Sequence, residues 1–133
     1  MVWKPNDMEA AVALATEVAP EDTAGCMRAA RELVSMGARR VFLTLGKKGC
    51  IAADHAGAQH VPTFDVDPPL DFVGAGDSFY AAAASSLAAG ASPEEAATLG
   101  NLAASVTVQK IGITGTASPE EMVALFRKNS RAG

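Results

Sequence analysis

Asp71-Phe72-Val73-Gly74-Ala75-Gly76-Asp77-Ser78 opens the stretch DFVGAGDSFYAAAASSLAAG, residues 71–90, on which the reading of the fold turns. Two glycines bracket an alanine, an acid follows, and then comes a run of small and apolar residues. Glycine lets the backbone turn tightly and approach a ligand closely. Ser78 to Ala89 holds strong helix formers and no breaker, so the glycine loop should feed directly into a helix N-terminus. There the first backbone N–H groups are unpaired and the helix dipole favours negative charge. That is a ready anion site, with the Asp77 carboxylate beside it. An anion cradle and a base together are the minimum equipment for moving a phosphoryl group onto a hydroxyl.

Taken alone, Gly74-Ala75-Gly76-Asp77 admits a second reading, a glycine turn capping a helix whose first turn Asp77 stabilises. A dinucleotide fingerprint is excluded, because Phe79 occupies its third glycine position and no acid ends a following strand. No GxxxxGK[ST] phosphate loop is present. GxGD also occurs in intramembrane aspartyl proteases, but the longest uncharged stretch, Ser78 to Pro93, is too short and too alanine-rich to cross a bilayer. No membrane partner is expected.

The whole chain sets the frame. Its 133 residues make one domain or part of one, with 49% hydrophobic and 20% charged residues and a net charge of −4, which is the balance of a soluble globular protein. No basic stripe is present, so no nucleic-acid partner is expected. Two cysteines, Cys26 and Cys50, with neither a CxxC pair nor a signal peptide, point to a reducing cytoplasm.

Val2-Trp3-Lys4-Pro5-Asn6 reads as the end of a strand, with Trp3 as a packing residue. Glu9 to Val18 suits a short helix. Pro20-Glu21-Asp22 starts a second one with acids in its first turn, its apolar face formed by Ala29, Ala30, Leu33 and Val34 and its end by Gly37. Arg40 to Leu45 is a nearly continuous apolar run, as in a strand buried on both faces. Gly46-Lys47-Lys48-Gly49 turns into a strand from Cys50 to Ala53, and Ala56-Gly57 turns again into Gln59 to Phe64. Asp65 to Leu70 is a crossing loop that delivers the chain to the glycines. After the Ala-rich helix, Ser92-Pro93-Glu94-Glu95 is an N-cap, a proline and two acids, starting a helix to about Lys110. Ile111 to Ala117 is a loop. Ser118-Pro119-Glu120-Glu121 repeats the start signal for a last helix to about Asn129. Strand–turn–strand pieces between helices indicate an α/β layer architecture.

Other motifs carry two readings each. Thr44-Leu45-Gly46-Lys47-Lys48-Gly49 places a hydroxyl, glycines and lysines at a strand end, fit either to receive nucleotide phosphates or to serve as a plain hairpin turn. Asn6-Asp7-Met8-Glu9 sets an Asn and a Glu at NxxE spacing, able to hold hydrated Mg²⁺ or simply to cap a helix. Asn101, alone among Leu99, Leu102 and Ala103, faces either a ligand or solvent. His55 and His60 flank a strand without a third ligand, so neither a metal nor an acid–base role is expected of them. The stripe Ala81, Ala84, Ser85 and Ala88, at helical spacing, reads as core.

Taken together these residues resemble the C-terminal half of the PfkB, or ribokinase-like, family of carbohydrate and nucleoside kinases. The match runs through Lys4-Pro5-Asn6…Glu9, Thr44-Leu45-Gly46…Gly49 and Asp71…Gly74-Ala75-Gly76-Asp77-Ser78-Phe79, in order, and covers essentially the whole chain. The tail Gln109-Lys110-Ile111-Gly112…Gly115-Thr116 is similar to sugar kinases of this group, including heptose-phosphate kinases. The resemblance implies the C-terminal portion of a three-layer α/β/α fold with a mostly parallel sheet and a β-hairpin, an unpaired sheet edge at Val2, and a family N-terminal half, with lid and most sugar contacts, outside this chain. It implies ATP-dependent phosphorylation of a sugar hydroxyl, with Asp77 as base and the backbone N–H groups of Gly74, Ala75, Gly76 and Asp77 as anion hole. Thr44, Leu45, Gly46, Lys47, Lys48, Gly49, Asn6 and Asn101 would bind ATP, and Asn6 with Glu9 would serve Mg²⁺. A monovalent cation such as K⁺ would sit near Asp71, Val73, Thr107, Lys110, Gly112 and Thr116. A sugar, ATP and, for the full-length form, a second copy are the implied partners. Phe72 and Val73 stand where the family often has threonines, and Ala82 where a glycine is common. A non-catalytic nucleotide-binding or partner-binding module is the alternative expectation.

Overall fold

The computed structural model describes residues 2–64, 75–109 and 117–132. Helix starts follow from side chains able to accept an orphan backbone N–H. Asn6 Oδ1 accepts the Glu9 N–H at 2.7 Å while the Asn6 N–H donates to Glu9 Oε1 at 2.9 Å, a reciprocal capping box that opens helix α1, Asp7–Leu14. Ser92 and Glu95 form the same box ahead of α4, Pro93–Thr107. The Ser92 backbone and side-chain bonds hold the Glu95 carboxyl below the usual range. Ser118 and Glu121 repeat it ahead of α5, Pro119–Ala132. Asp22 caps α2, Thr23–Ser35, through Gly25. Helix α3, Ala75–Ala88, grows from the glycine motif itself.

Several boundaries depart from the sequence reading: β-structure expected over Gln59 to Phe64 is observed at Gly57–Val61, α3 begins at Ala75 and not Ser78, and two helix ends differ for a local reason. Helix α1 stops at Leu14, not Val18, because Ala15 adopts a left-handed conformation at φ 54°. Helix α2 starts at Thr23, so Asp22 lies outside as its cap and no acid occupies the first turn. One carboxylate oxygen accepting an N–H does the work expected of a run of acids.

Among the described residues four strands, β1 (Val2–Trp3), β2 (Arg40–Thr44), β3 (Cys50–Asp54) and β4 (Gly57–Val61), form one sheet in that order. Only β1 and β2 are parallel, with Val2 opposite Arg40. Strands β2, β3 and β4 are antiparallel neighbours. The sheet is therefore mixed, and the expectation of a mostly parallel sheet is corrected. The connections decide this: Leu45–Gly49 and His55–Ala56 are too short for a parallel crossover, which needs a dozen or more residues. The β1–β2 connection has room for one and carries α1 and α2.

Alternation along β2 and β3 separates two cores. Val41, Leu43, Ile51 and Ala53 pack with Ala10 of α1 and with Ala30, Leu33 and Val34 of α2, and Trp3 packs at their edge. Phe42, Cys50 and Ala52 point the other way, into Phe79 and Ala83 of α3 and Ala96 and Ala97 of α4. Helices thus cover both faces. Helix α5 extends the second layer through Leu102, Val106 and Leu125. Phe79, 2% exposed, meets Phe42 edge-on with ring centroids 5.9 Å apart, a burial contributing roughly 1.5–3 kcal/mol. Gly100 lets α4 approach that ring: a Cβ there would meet three Phe79 ring atoms at 2.8–2.9 Å.

The small-residue stripe of α3 is also corrected. Ala81, Ser85 and Ala88 are exposed and Ala84 is partly so, while Phe79 and Ala83 are buried with Leu87 packed beside them. The largest apolar side chain orients the helix, and a ring of alanines offers it no competing face.

Candidate functional site

The end of β2 and the start of α1 are tied together. The Thr44 N–H donates to the Pro5 carbonyl at 2.9 Å, the Thr44 hydroxyl donates to the same oxygen at 3.3 Å, and Asn6 bridges Thr44 in parallel fashion. These bonds place the NxxE cap beside the loop that follows Thr44. That loop is a single 3₁₀ turn, Gly46–Lys48. Its Leu45, Lys48 and Gly49 amides donate to Gly49, Leu45 and Gly46 carbonyls respectively. Only the Gly46 and Lys47 amides, at the start of the turn, remain without a partner among the described residues. His60 Nε2 donates to the Lys48 carbonyl at 2.6 Å and fixes the turn to β4.

Opposite this loop stands the first turn of α3. Between them opens a cleft of about 560 Å³, within the range of small-ligand sites. Asn6, Thr44, Gly46, Lys47, Gly49, Ala75, Gly76 and Asn101 all line it, so three separated motifs converge on one space. Other sequence-derived candidates fall elsewhere. Leu45 is buried beneath the loop, Lys48 and Glu9 are exposed outside the cleft, and Asp77 is exposed at the third residue of α3. No ion pair or hydrogen bond holds Asp77 among the described residues. Gly74, Asp71, Val73, Lys110, Gly112 and Thr116 lie outside the described residues. Thr107 is buried and its hydroxyl donates to Ser78 Oγ at 2.7 Å, joining α4 to the first turn of α3. That bond commits its proton and leaves its lone pairs.

Asn101 faces neither solvent nor an open ligand space with its amide. It is 4% exposed, and Nδ2 donates to the Val61 and Pro62 carbonyls at 3.0 and 3.1 Å. It clamps the end of β4 to α4. Nearby, burial pushes the Cys50 thiol up to about 12, against the lowering effect of its hydrogen bond with Asn101, so Cys50 is a packing thiol and a poor nucleophile. Asn101→Leu is expected to strand the buried Val61 carbonyl and free the part-buried Pro62 carbonyl, costing about 1–3 kcal/mol, read as a lower urea midpoint with unchanged slope. A residue that served only the ligand would leave that midpoint in place.

Lys4, Asp7, Thr63, Phe64, Phe79, Ala104, Ser105 and Val108 also line the cleft; Lys4, Asp7 and Phe79 fall in or between the matching motifs but were given no site role, and the others were not singled out in the sequence. One signal for them existed: 101, 104, 105 and 108 recur at helical spacing on one face of α4. Thr63 and Phe64 gave none, since they follow the end of β4.

The layering and the cleft at the end of β2 define a ribokinase-like three-layer α/β/α protein. The family model for pfkB family carbohydrate kinases matches residues 1–121, and the chain belongs to that family. It is 39% identical over 129 residues to the bifunctional protein HldE of Desulfatibacillum aliphaticivorans, covering 90% of this chain and 24% of that protein. HldE of Caulobacter sp. (strain K31) is 36% identical over 123 residues, with 92% and 25% covered. The chain therefore spans about a quarter of the length of these curated relatives. Among solved structures, phosphofructokinase-2 from Escherichia coli in complex with substrates and products superposes with a TM-score of 0.84 at 30% identity, covering 98% of this chain and 41% of that one. Ribokinase from Thermotoga maritima gives 0.77 at 31% identity, with 95% and 42% covered.

Proposed function

We infer that this chain is the nucleotide-binding and catalytic part of an ATP-dependent sugar kinase. The observation that carries the reading is the convergence on one cleft of the Asn6 cap, the Thr44–Gly49 turn and the first turn of α3. Backbone amides, two lysines and little bulk suit a polyphosphate. Phosphoryl transfer has a loose transition state, so positioning and charge stabilisation supply most of the rate. On this reading the amides of Gly74, Ala75, Gly76 and Asp77 hold the oxygens of the migrating group, each donor being worth ~10²–10³ in rate. Asp77, exposed and without a partner among the described residues, accepts the sugar hydroxyl proton. The nucleotide lies along Thr44, Gly46, Lys47 and Gly49, with the Asn101 wall behind it.

Asn6 and Glu9 fit Mg²⁺ through its water shell, because the capping box uses Asn6 Oδ1 and one Glu9 oxygen and leaves the other. Mg²⁺ would supply charge neutralisation at the phosphates. For a potassium ion the described residues offer one oxygen, the Thr107 hydroxyl, whose lone pairs stay open because it donates its proton to Ser78; the other implied ligands lie outside them.

The test is ATP consumption by the protein carrying this chain against a panel of hexoses, pentoses, heptose phosphates and nucleosides, read as ADP release. One member of the panel is expected to be phosphorylated. ATP binding with no acceptor turned over would favour the alternative, a non-catalytic nucleotide-binding module. The absence of ATP binding would remove both.

A further inference from the structure

Lys4 gains a role only on the kinase reading above, and on that reading it is well placed to touch the transferred group. It sits between β1 and the Asn6 cap. Its Nζ comes within 3.3 Å of the point where a Cβ on Gly76 would stand. The Cα–Cβ bond of a helical residue leans toward the helix N-terminus. The ammonium therefore lies against the first turn of α3, on the side that a Gly76 side chain would occupy. Lys4 lines the same cleft as Gly76, Ala75, Gly46 and Lys47.

For stability alone this is a poor place for a cation. A helix N-terminus carries about half a positive elementary charge and favours anions, not ammonium groups. Among the described residues Lys4 has no hydrogen bond or ion pair, although Asp7 lines the cleft with it. Lys47 adds a second ammonium. Two lysines and a helix start, set against one lining carboxylate, leave an excess of positive charge that a bound polyanion would relieve. Gly76 serves the arrangement as well, because a side chain there would press on the Lys4 tip.

We propose that Lys4 contacts the γ-phosphoryl group of a bound nucleoside triphosphate and stays with it through transfer. The sugar hydroxyl oxygen forms a bond to the γ-phosphorus, and the bond from that phosphorus to the oxygen bridging the β-phosphate breaks. The hydroxyl proton goes to Asp77, and the electron pair of the broken bond leaves on the nucleoside diphosphate. Lys4 keeps its proton. It contributes charge and N–H donors to the non-bridging oxygens, and its flexible four-carbon stem follows them as they move.

Calorimetric titration with ATP and with ADP, both with Mg²⁺, across the wild type, Lys4→Met and Lys4→Arg tests this. Lys4→Met is expected to weaken ATP about ten- to a hundredfold, the size of a charge-assisted hydrogen bond, and to leave ADP unchanged. Lys4→Arg keeps the charge and is expected to retain the preference for ATP. Equal losses for both nucleotides, or no loss for either, would overturn the role of Lys4 while the kinase reading stands. A wild type that binds neither nucleotide would remove the kinase reading, and the role of Lys4 with it.

Discussion

Asp77→Asn is expected to lower phosphoryl transfer by roughly 10²–10⁴-fold, the usual contribution of a general base, with ATP affinity little changed. Asparagine keeps the size and the hydrogen-bonding oxygen of the side chain but cannot take a proton. Asp77 is exposed at the third residue of α3 and does not line the cleft. On the kinase reading this separates the two substrates, with the nucleotide inside and the acceptor hydroxyl arriving at the outer end of the helix turn. Turnover and the ATP dissociation constant, measured on the same preparation, decide it. A variant that turns over like the wild type takes Asp77 out of the mechanism, and one that loses ATP binding gives the residue a structural part instead.

Gly49→Ala is expected to have the largest effect on stability. Gly49 sits at φ 89°, a conformation that costs an alanine about 1–3 kcal/mol. Space is the harder limit. A Cβ there would meet the Val61 carbonyl oxygen, and would come within 2.8 Å of both Pro62 Cα and Thr63 N. All three are backbone atoms, which cannot swing away as a side-chain tip can. Overpacking of this kind costs about another 1–3 kcal/mol. The sum would lower the melting temperature by on the order of 10 °C, and displacement of the loop would weaken nucleotide binding. Thermal melting of the variant without and with ATP reads both effects. A melting point equal to that of the wild type would mean that the turn yields more easily than its contacts allow.

Much of this organisation was legible in the chain, and the reasons for success and failure are physical. Ser92-Pro93-Glu94-Glu95 and Ser118-Pro119-Glu120-Glu121 foretold their helices because a capping box is complete within four residues. The apolar run at Arg40–Leu45 foretold a strand with two buried faces, as β2 proves to be. The end of α1 was hidden, since Ala15 has no intrinsic taste for the left-handed conformation that stops the helix. The buried face of α3 was misread because alanines on several sides of the helix carry no direction, and packing of Phe79 on Phe42 supplies one. Asn101 was ambiguous for a related reason: its partners, the Val61 and Pro62 carbonyls, lie some 40 residues away in sequence. At the candidate site, the motifs named the walls of the cleft, and the Pro5–Thr44 hydrogen bonds that join two of them appear only in three dimensions.

Strand β2 has hydrocarbon on both sides, with Val41 and Leu43 in one core and Phe42 in the other. Such a segment has no permissive surface on which substitutions can accumulate unnoticed, because a polar atom at any of the three positions would be buried without a partner. Strand β4 differs, for Gln59 is open to water. The stretch that carries Thr44 to the cleft thus has little freedom to drift, a constraint it shares with β3.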